Sequence, residues 1–186
     1  MTTSMQAAVW QRPDAITVEQ IPVPEVPVGW ALVEVEYTGI CGTDLSILHS
    51  THPRAQAGIV PGHESVGVVA DGGTTGLAVG DRVVAEPLIS CGHCLACRSG
   101  STHVCRNLKL YGIDAPGSLA DYVALPASAL HVVPAGNDRR RPSRSADHVA
   151  EWASRTPKCR VSVGEFKSRV RSGLANQRLT RPDASG

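Results

Sequence analysis

Residues 91–105 read Cys91-Gly92-His93-Cys94-Leu95-Ala96-Cys97-Arg98-Ser99-Gly100-Ser101-Thr102-His103-Val104-Cys105, four cysteines in a C-x2-C-x2-C-x7-C spacing. That spacing gathers four thiols into one short lobe, about residues 88–108. A divalent zinc ion prefers four tetrahedral ligands, and four thiolates satisfy it with no position left open for chemistry. The residues between the cysteines are loop-forming and poor in core side chains, so bound metal has to supply much of the local folding energy. Two disulfides, or four unrelated thiols, are the plainer alternative; the tight spacing and the intracellular look of the chain argue against them. An iron–sulfur cluster is a third reading. The bacterial ferredoxin run closes with three residues and a Cys-Pro pair, whereas seven residues precede Cys105 here and Arg106 follows it.

The body into which this lobe is set looks β-rich. Ala31, Val33, Val35 and Tyr37 alternate with Leu32, Glu34 and Glu36, the period of a strand with the two sets on opposite faces. Similar short runs are Ser65–Ala70, Arg82–Ala85 and Leu119–Leu125. Turn signals separate them: Asp71-Gly72-Gly73, Val79-Gly80-Asp81 and Ala115-Pro116-Gly117. These spacings suit a small barrel or sandwich. Pro22, Pro24 and Pro27 mark an extended connector, and a short helix is expected to start after Thr43-Asp44.

At 186 residues the chain has room for one domain with an appendage. Its start offers no apolar segment ahead of a small-residue cleavage site, and no run approaches the roughly 18 apolar residues of a membrane span. A cytoplasmic protein without a membrane partner is expected. The net charge of +1 conceals a division: residues 1–136 carry 6 basic and 12 acidic side chains, and residues 137–186 carry 12 basic and 5 acidic. The second part opens on Arg139-Arg140-Arg141-Pro142-Ser143-Arg144 and has few bulky apolar residues, so it is expected to be disordered or to form a weak helix or two around Val149–Trp152 and Val161–Val170. Arginine clusters attract phosphates, but the sparse aromatics argue against a nucleic-acid partner.

Upstream of the quartet, Gly39-Ile40-Cys41-Gly42-Thr43-Asp44 and Pro61-Gly62-His63-Glu64 supply a thiolate, an imidazole and a carboxylate. Three protein ligands and an open fourth position make a catalytic zinc, which can lower the pKa of an alcohol and ready it to lose hydride. Each residue alone has a duller explanation as a buried thiol, a hydrogen-bonded histidine or a surface glutamate.

Taken in order, these motifs resemble the zinc-containing medium-chain alcohol dehydrogenases, specifically their GroES-like N-terminal catalytic domain. Gly39–Asp44 looks like the family's first-ligand motif. Gly62-His63-Glu64, with Gly67 and Val68-Val69 following, looks like its zinc signature. Val79-Gly80-Asp81-Arg82-Val83 matches the turn and strand after it, the cysteine lobe matches the structural-zinc loop, and Gly117–Pro126 resembles the strand that follows. The resemblance covers about residues 5–135. It implies a mainly β fold, a partly open GroES-like barrel with a zinc lobe and few short helices. It makes Cys91, Cys94, Cys97 and Cys105 the structural-zinc ligands and Cys41 and His63 catalytic-zinc ligands, with Glu64 a third ligand or a close carboxylate. Thr43 would hydrogen-bond the substrate hydroxyl. Where many relatives carry a relay histidine two residues after the aspartate, this chain has Ser46, and His49 need not replace it. The Cys-Gly-Thr-Asp form leans towards polyol, sugar-alcohol or threonine-type dehydrogenases, with a small alcohol or polyol as substrate.

Hydride transfer in that family needs a nicotinamide dinucleotide on a Rossmann-type domain with a glycine-rich turn. No G-x-G-x-x-G occurs in this chain; Gly72, Gly73 and Gly76 lack the spacing and suit a hairpin turn. The expectation is therefore a GroES-like domain over residues 1–136 and an Arg-rich tail over 137–186. That tail would be translated in a shifted frame or otherwise replaced, in a dehydrogenase truncated before its NAD(P) domain and inactive alone. The competing readings are a zinc-binding structural module and a nucleic-acid binder using the tail.

Overall fold

The computed structural model describes residues 3–134 and 160–162. In chain order the strands are β1 (Ser4–Arg12), β2 (Ala15–Pro22), β3 (Trp30–Gly39), β4 (Ser65–Asp71) and β5 (Arg82–Ala85), then β6 (Leu88–Ile89), β7 (Lys109–Leu110), β8 (Tyr122–Pro126), β9 (Leu130–Val132) and β10 (Arg160–Ser162). Two short α-helices, α1 (Gly42–Leu48) and α2 (Leu95–Arg98), accompany them. The fold is mainly β, as the alternation and turn spacing imply. Among the described residues no helix is long and apolar enough to cross a membrane.

Strand β3 organises the molecule. It pairs antiparallel with β4 on one edge and with β8 on the other, and the sheet continues through β5 to β9, curling into a half-open barrel. Ala31, Val33 and Val35 point into a core shared with Val69, Val83, Val123, Leu125 and the fully buried Tyr111. Tyr37, expected on the same face as Ala31, Val33 and Val35, is only half-buried, and Thr38 is buried instead. The β3–β4 register shifts between Val35 and Tyr37, and this bulge reverses which face the later residues present. Gly67 lies at that crossing point, where a Cβ would sit 2.1 Å from the Glu34 carbonyl oxygen.

The segment 119–125 is divided between two neighbours. Leu119 and Asp121 bond to β1, with Ala8 N–H donating to the Leu119 carbonyl at 2.8 Å and Asp121 N–H to the Gln6 carbonyl at 3.0 Å. At Asp121, whose carbonyl accepts the Val35 N–H at 2.8 Å, the chain passes over to β3, with which it pairs from Tyr122 on. The β1–β2 hairpin is thus sewn onto the barrel. Within it β1 buries Met5, Ala7, Ala8, Val9 and Trp10 almost continuously, so it shows no alternation for sequence reading to find.

Helix α1 starts earlier than expected. Cys41 is its N-cap and Asp44 its third residue, because the Asp44 carboxylate reaches back to the Cys41 N–H at 3.0 Å in a capping box. Of the tail, only residues 160–162 are described. Those three residues form a strand, β10, where disorder or a weak helix was expected, and it pairs with Tyr37–Gly39 along the β3 edge that β8 leaves uncovered past Glu34. Val149, Trp152, Cys159 and the Arg139–Arg144 cluster lie outside the described residues.

Candidate functional site

Two sulfur-bearing clusters stand out. In the lobe, strands β6 and β7 pair to form a narrow base, α2 is capped by Cys94, and a single 3-10 turn, Thr102–Val104, delivers Cys105. From Leu88 to Leu110 only Cys105 is buried, and Leu95 and Val104 are 83% and 60% exposed. The lobe has no apolar core of its own, which leaves the sulfur cluster as its organising feature.

The four Sγ atoms lie within 4.8 Å of one another. Cys94 and Cys97 are 3.5 Å apart, Cys94 and Cys105 3.9 Å, and Cys91 and Cys97 4.0 Å. A disulfide needs about 2.05 Å, and all four thiols are free. Four sulfurs around a tetrahedral zinc at about 2.3 Å would stand roughly 3.8 Å apart, so the donor set fits that ion. Main-chain N–H groups already point at the sulfurs: Cys91 and Asn107 each donate to Cys105 Sγ at 3.3 Å. The N–H groups of Cys97 and Arg106 draw the Cys94 thiol down to about 6, whereas burial and the neighbouring thiols push Cys97 up to about 11. Sulfurs this close resist ionising together without a cation among them, which is the chemistry of a metal-ligand cluster.

The second cluster joins residues distant in sequence. Cys41 Sγ and His63 Nε2 face each other at 3.1 Å, 22 residues apart in the chain. Three devices bring them together. The first is Asp44, a buried carboxylate whose Oδ2 accepts the Cys41 N–H and whose Oδ1 accepts the Gly62 N–H, both at 3.0 Å. It ties the helix start to the histidine segment and lies 3.6 Å from His63 Nδ1, too far for a hydrogen bond. The second is Gly62, whose φ of +92° a side chain would strain and whose Cβ would meet Thr38 Cγ2 at 2.9 Å. The third is the backbone stack around it: Ser118 N–H donates to the Gly62 carbonyl at 2.9 Å and Leu119 N–H to that of Pro61 at 3.0 Å.

The group of mutually close donors is therefore Cys41, Asp44 and His63, all within 4.8 Å. Glu64 is not a member of it. Its Oε2 is nonetheless buried and without a hydrogen-bond partner among the described residues, as is His63 Nδ1. Burial raises the Glu64 carboxyl above its ordinary value, against the lowering influence of His63. Burial likewise raises the Cys41 thiol, although hydrogen bonds from Thr43 oppose it. An orphaned carboxylate oxygen and imidazole nitrogen beside a thiol–imidazole contact form a donor set suited to zinc. Asp44 already spends both oxygens on main-chain donors, so it positions the thiol and the imidazole.

Thr43 sits in the first turn of α1 and its N–H donates to Cys41 Sγ at 3.2 Å. Ser46 turns its hydroxyl back onto the Gly42 carbonyl at 3.0 Å. His49 caps the far end of α1, where its Nδ1 lies 2.7 Å from Asp14; it is committed to the hairpin turn. The bridging role of Asp44 was missed in the sequence, where it served only as a helix-start signal. The Cys-x-x-Asp spacing of a capping box held half of it.

The sequence profile of the alcohol dehydrogenase GroES-like domain matches residues 27–135, which include both clusters. D-altritol 5-dehydrogenase of Agrobacterium fabrum is 40% identical over 114 residues, 60% of this chain and 34% of that protein. L-threonine 3-dehydrogenase of Xanthomonas euvesicatoria pv. vesicatoria is 43% identical over 124 residues, 64% of this chain and 36% of that protein. Among solved structures, a zinc-binding dehydrogenase from Sinorhizobium meliloti, bound to NADP, aligns with a TM-score of 0.66 at 34% identity, covering 80% of this chain and 42% of that one. The chain thus spans between a third and a half of the length of these relatives.

Proposed function

Since this chain belongs to the alcohol dehydrogenase GroES-like domain family, we propose that it is the zinc-binding catalytic domain of a secondary-alcohol or polyol dehydrogenase that oxidises an alcohol to a ketone or aldehyde with NAD(P). The observation that carries this reading is the contact of Cys41 Sγ with His63 Nε2 at 3.1 Å, beside the buried, unpartnered oxygen of Glu64. Cys41 and His63 would hold a catalytic zinc, with Glu64 as third ligand or adjacent carboxylate, and the Cys91, Cys94, Cys97 and Cys105 quartet a structural one. When bound at the first site, zinc supplies Lewis-acid polarisation of an alcohol oxygen.

The chain's own residues orient that alcohol and handle its proton. Thr43, fixed beside Cys41 by its main-chain bond to the sulfur, offers a hydroxyl to the substrate hydroxyl. Ser46 holds its proton on the Gly42 carbonyl and His49 is engaged by Asp14, so the proton passes from Thr43 to water or to a group outside the described residues. The 186 residues contain no glycine-rich dinucleotide turn. We therefore place dinucleotide binding in a separate domain, and expect the chain alone not to transfer hydride. D-altritol in the name of one relative supports a hydroxyl-rich small substrate, and L-threonine in that of another supports a small secondary alcohol.

The test is metal content together with turnover. Purified chain should hold close to two zincs and form no NAD(P)H with a panel of secondary alcohols and polyols. One zinc, lost in Cys94→Ser and kept in Cys41→Ser, would refute the catalytic centre. Turnover would refute the need for a separate domain.

A further inference from the structure

Away from both sulfur clusters, the loop 51–59 and the turn 110–115 border an open surface cavity of about 370 Å³. Small-molecule sites commonly occupy roughly 300–1,000 Å³. Its polar wall is built from Arg54, Gln56 and Asp114, and its floor includes Ile59 and Ile113. Arg54 Nη1 donates to Asp114 Oδ2 at 2.9 Å, and the same oxygen accepts the Leu110 N–H at 2.9 Å. Asp114 is therefore held by the main chain and in turn holds the guanidinium. The loop opposite is pinned as well, since Gly58 N–H donates to the Trp10 carbonyl at 2.8 Å. Ile113 packs in a cluster with Trp10, Ile47 and Leu48, which makes the floor part of the folded core.

The chemistry of these walls selects among ligands. The guanidinium and the Gln56 amide are donors, the Asp114 carboxylate is an acceptor, and the ion pair leaves the site close to electrically neutral. An anion would have to compete with Asp114 for the guanidinium. The single hydroxyl of a monohydric alcohol can donate to the carboxylate and accept from one neighbour, but it cannot span Arg54, Gln56 and Asp114 together. A chain of adjacent hydroxyls can, while its C–H face lies on the two isoleucines. We propose that this cavity is an accessory site for a neutral polyhydroxylated ligand, a sugar alcohol, recognised by Arg54, Gln56 and Asp114. Its walls share backbone with the His63 segment: Ile59 precedes His63 by four residues, and Gly112, next to Ile113, lies against the Gly62 carbonyl. The inference rests on the polyol reading of the function above, and it assigns specificity residues outside the metal pair.

The experiment is a titration of the isotope-labelled, zinc-loaded full chain with xylitol, followed by amide chemical shifts, with ethanol as control. Xylitol should shift the amides of Arg54, Gln56 and Asp114 saturably, and ethanol should not. Arg54→Met, an exposed substitution, should weaken that binding about tenfold or more, the loss of one charge-assisted donor, with zinc content unchanged. Absence of saturable shifts there, equal xylitol affinity in Arg54→Met, or an equal response to ethanol overturns the proposal. Shifts confined to Thr43 and His63 also overturn it while leaving the functional reading intact. Saturable shifts at Arg54 in a chain that holds no zinc at Cys41 and His63 would support the cavity and sink the catalytic reading.

Discussion

Replacing Asp44 by asparagine isolates what holds the thiol–imidazole pair together. The carboxylate is buried and gives one oxygen to each of two main-chain donors, Cys41 N–H and Gly62 N–H, both at 3.0 Å. Hydrogen bonds to a charged acceptor contribute roughly 1.5–3 kcal/mol each. Asparagine keeps the shape and can accept from one donor, but its amide nitrogen faces the other and leaves that N–H buried and unpaired. One bond of the two is lost, so the fold should weaken by about 2 kcal/mol, with half of the capping box gone. For a chain of this size that lowers the unfolding midpoint by about 4–8 °C. Thermal unfolding followed by circular dichroism measures the first effect, and zinc per chain measures the second. Zinc at Cys41 and His63 should be depleted while the quartet, which makes no use of Asp44, keeps its own. An unchanged midpoint with both metals retained would refute the clamp, as would loss of the quartet's zinc first.

Gly62→Ala places a side chain at φ +92° and 2.9 Å from Thr38 Cγ2; a loss of roughly 2–6 kcal/mol is expected in urea unfolding, and a loss under 1 kcal/mol would show that the backbone there can relax. Cys94→Ser should cost one zinc and open the lobe to protease between residues 91 and 105 while the barrel's spectrum is kept, and Cys41→Ser should cost the other zinc without that cleavage. Tyr111, fully buried with its hydroxyl 3.2 Å from Ser65 Oγ, has its phenol raised well above the ordinary value by burial. Its neutral form is the one the fold favours, so its contribution is complete below about pH 10 and lost as pH rises beyond that. Tyrosinate absorbance should therefore develop fully only on alkaline unfolding, and Tyr111→Phe should remove that limb at a cost of about 1 kcal/mol near neutrality; three tyrosinates forming reversibly in the intact fold would contradict this.

How much of this was legible in the chain follows from how local each signal is. β3 is legible to within two residues because a sheet with one face in the core writes its period into the sequence, whereas Arg82–Ala85, buried at three successive residues, is legible as a short apolar run after the Val79-Gly80-Asp81 turn. Strand β1, covered on both faces, carries no such period, and the Val35–Tyr37 bulge inverts a pattern whose residues look regular. The quartet was legible because its four donors fall within one short segment. Cys41 and His63 could be paired only through the resemblance, since nothing in either segment points to the other. Sequence adjacency makes Glu64 the natural companion of His63. Nothing local announces Asp44: the carboxylate lying within 4.8 Å of both donors comes from α1, while Glu64 keeps a buried, unpartnered oxygen beside them.

The two clusters consequently depend on different parts of the molecule. The lobe contributes one buried residue between Leu88 and Leu110, Cys105 of the sulfur cluster; its order comes from sulfur, main-chain N–H groups and the metal they suit, and it meets the rest of the fold through the partly buried Ile89 and Leu110 at its base. The pair at Cys41 and His63 draws on nearly everything else. It needs β3 to deliver Gly39, whose N–H bonds to the Glu64 carbonyl at 2.7 Å, and β4 to start just beyond His63. It also needs Asp44 to bridge the two segments and the Gly62 carbonyl to accept Ser118. A substitution anywhere in that frame reaches the pair through backbone that is already close-packed, whereas the quartet feels only its own short loop. Possession of the four-cysteine lobe therefore testifies to family and to a folded metal loop, while integrity of the pair reports on the barrel as a whole. It is the pair, and the residues that hold it, on which any alcohol chemistry of this chain turns.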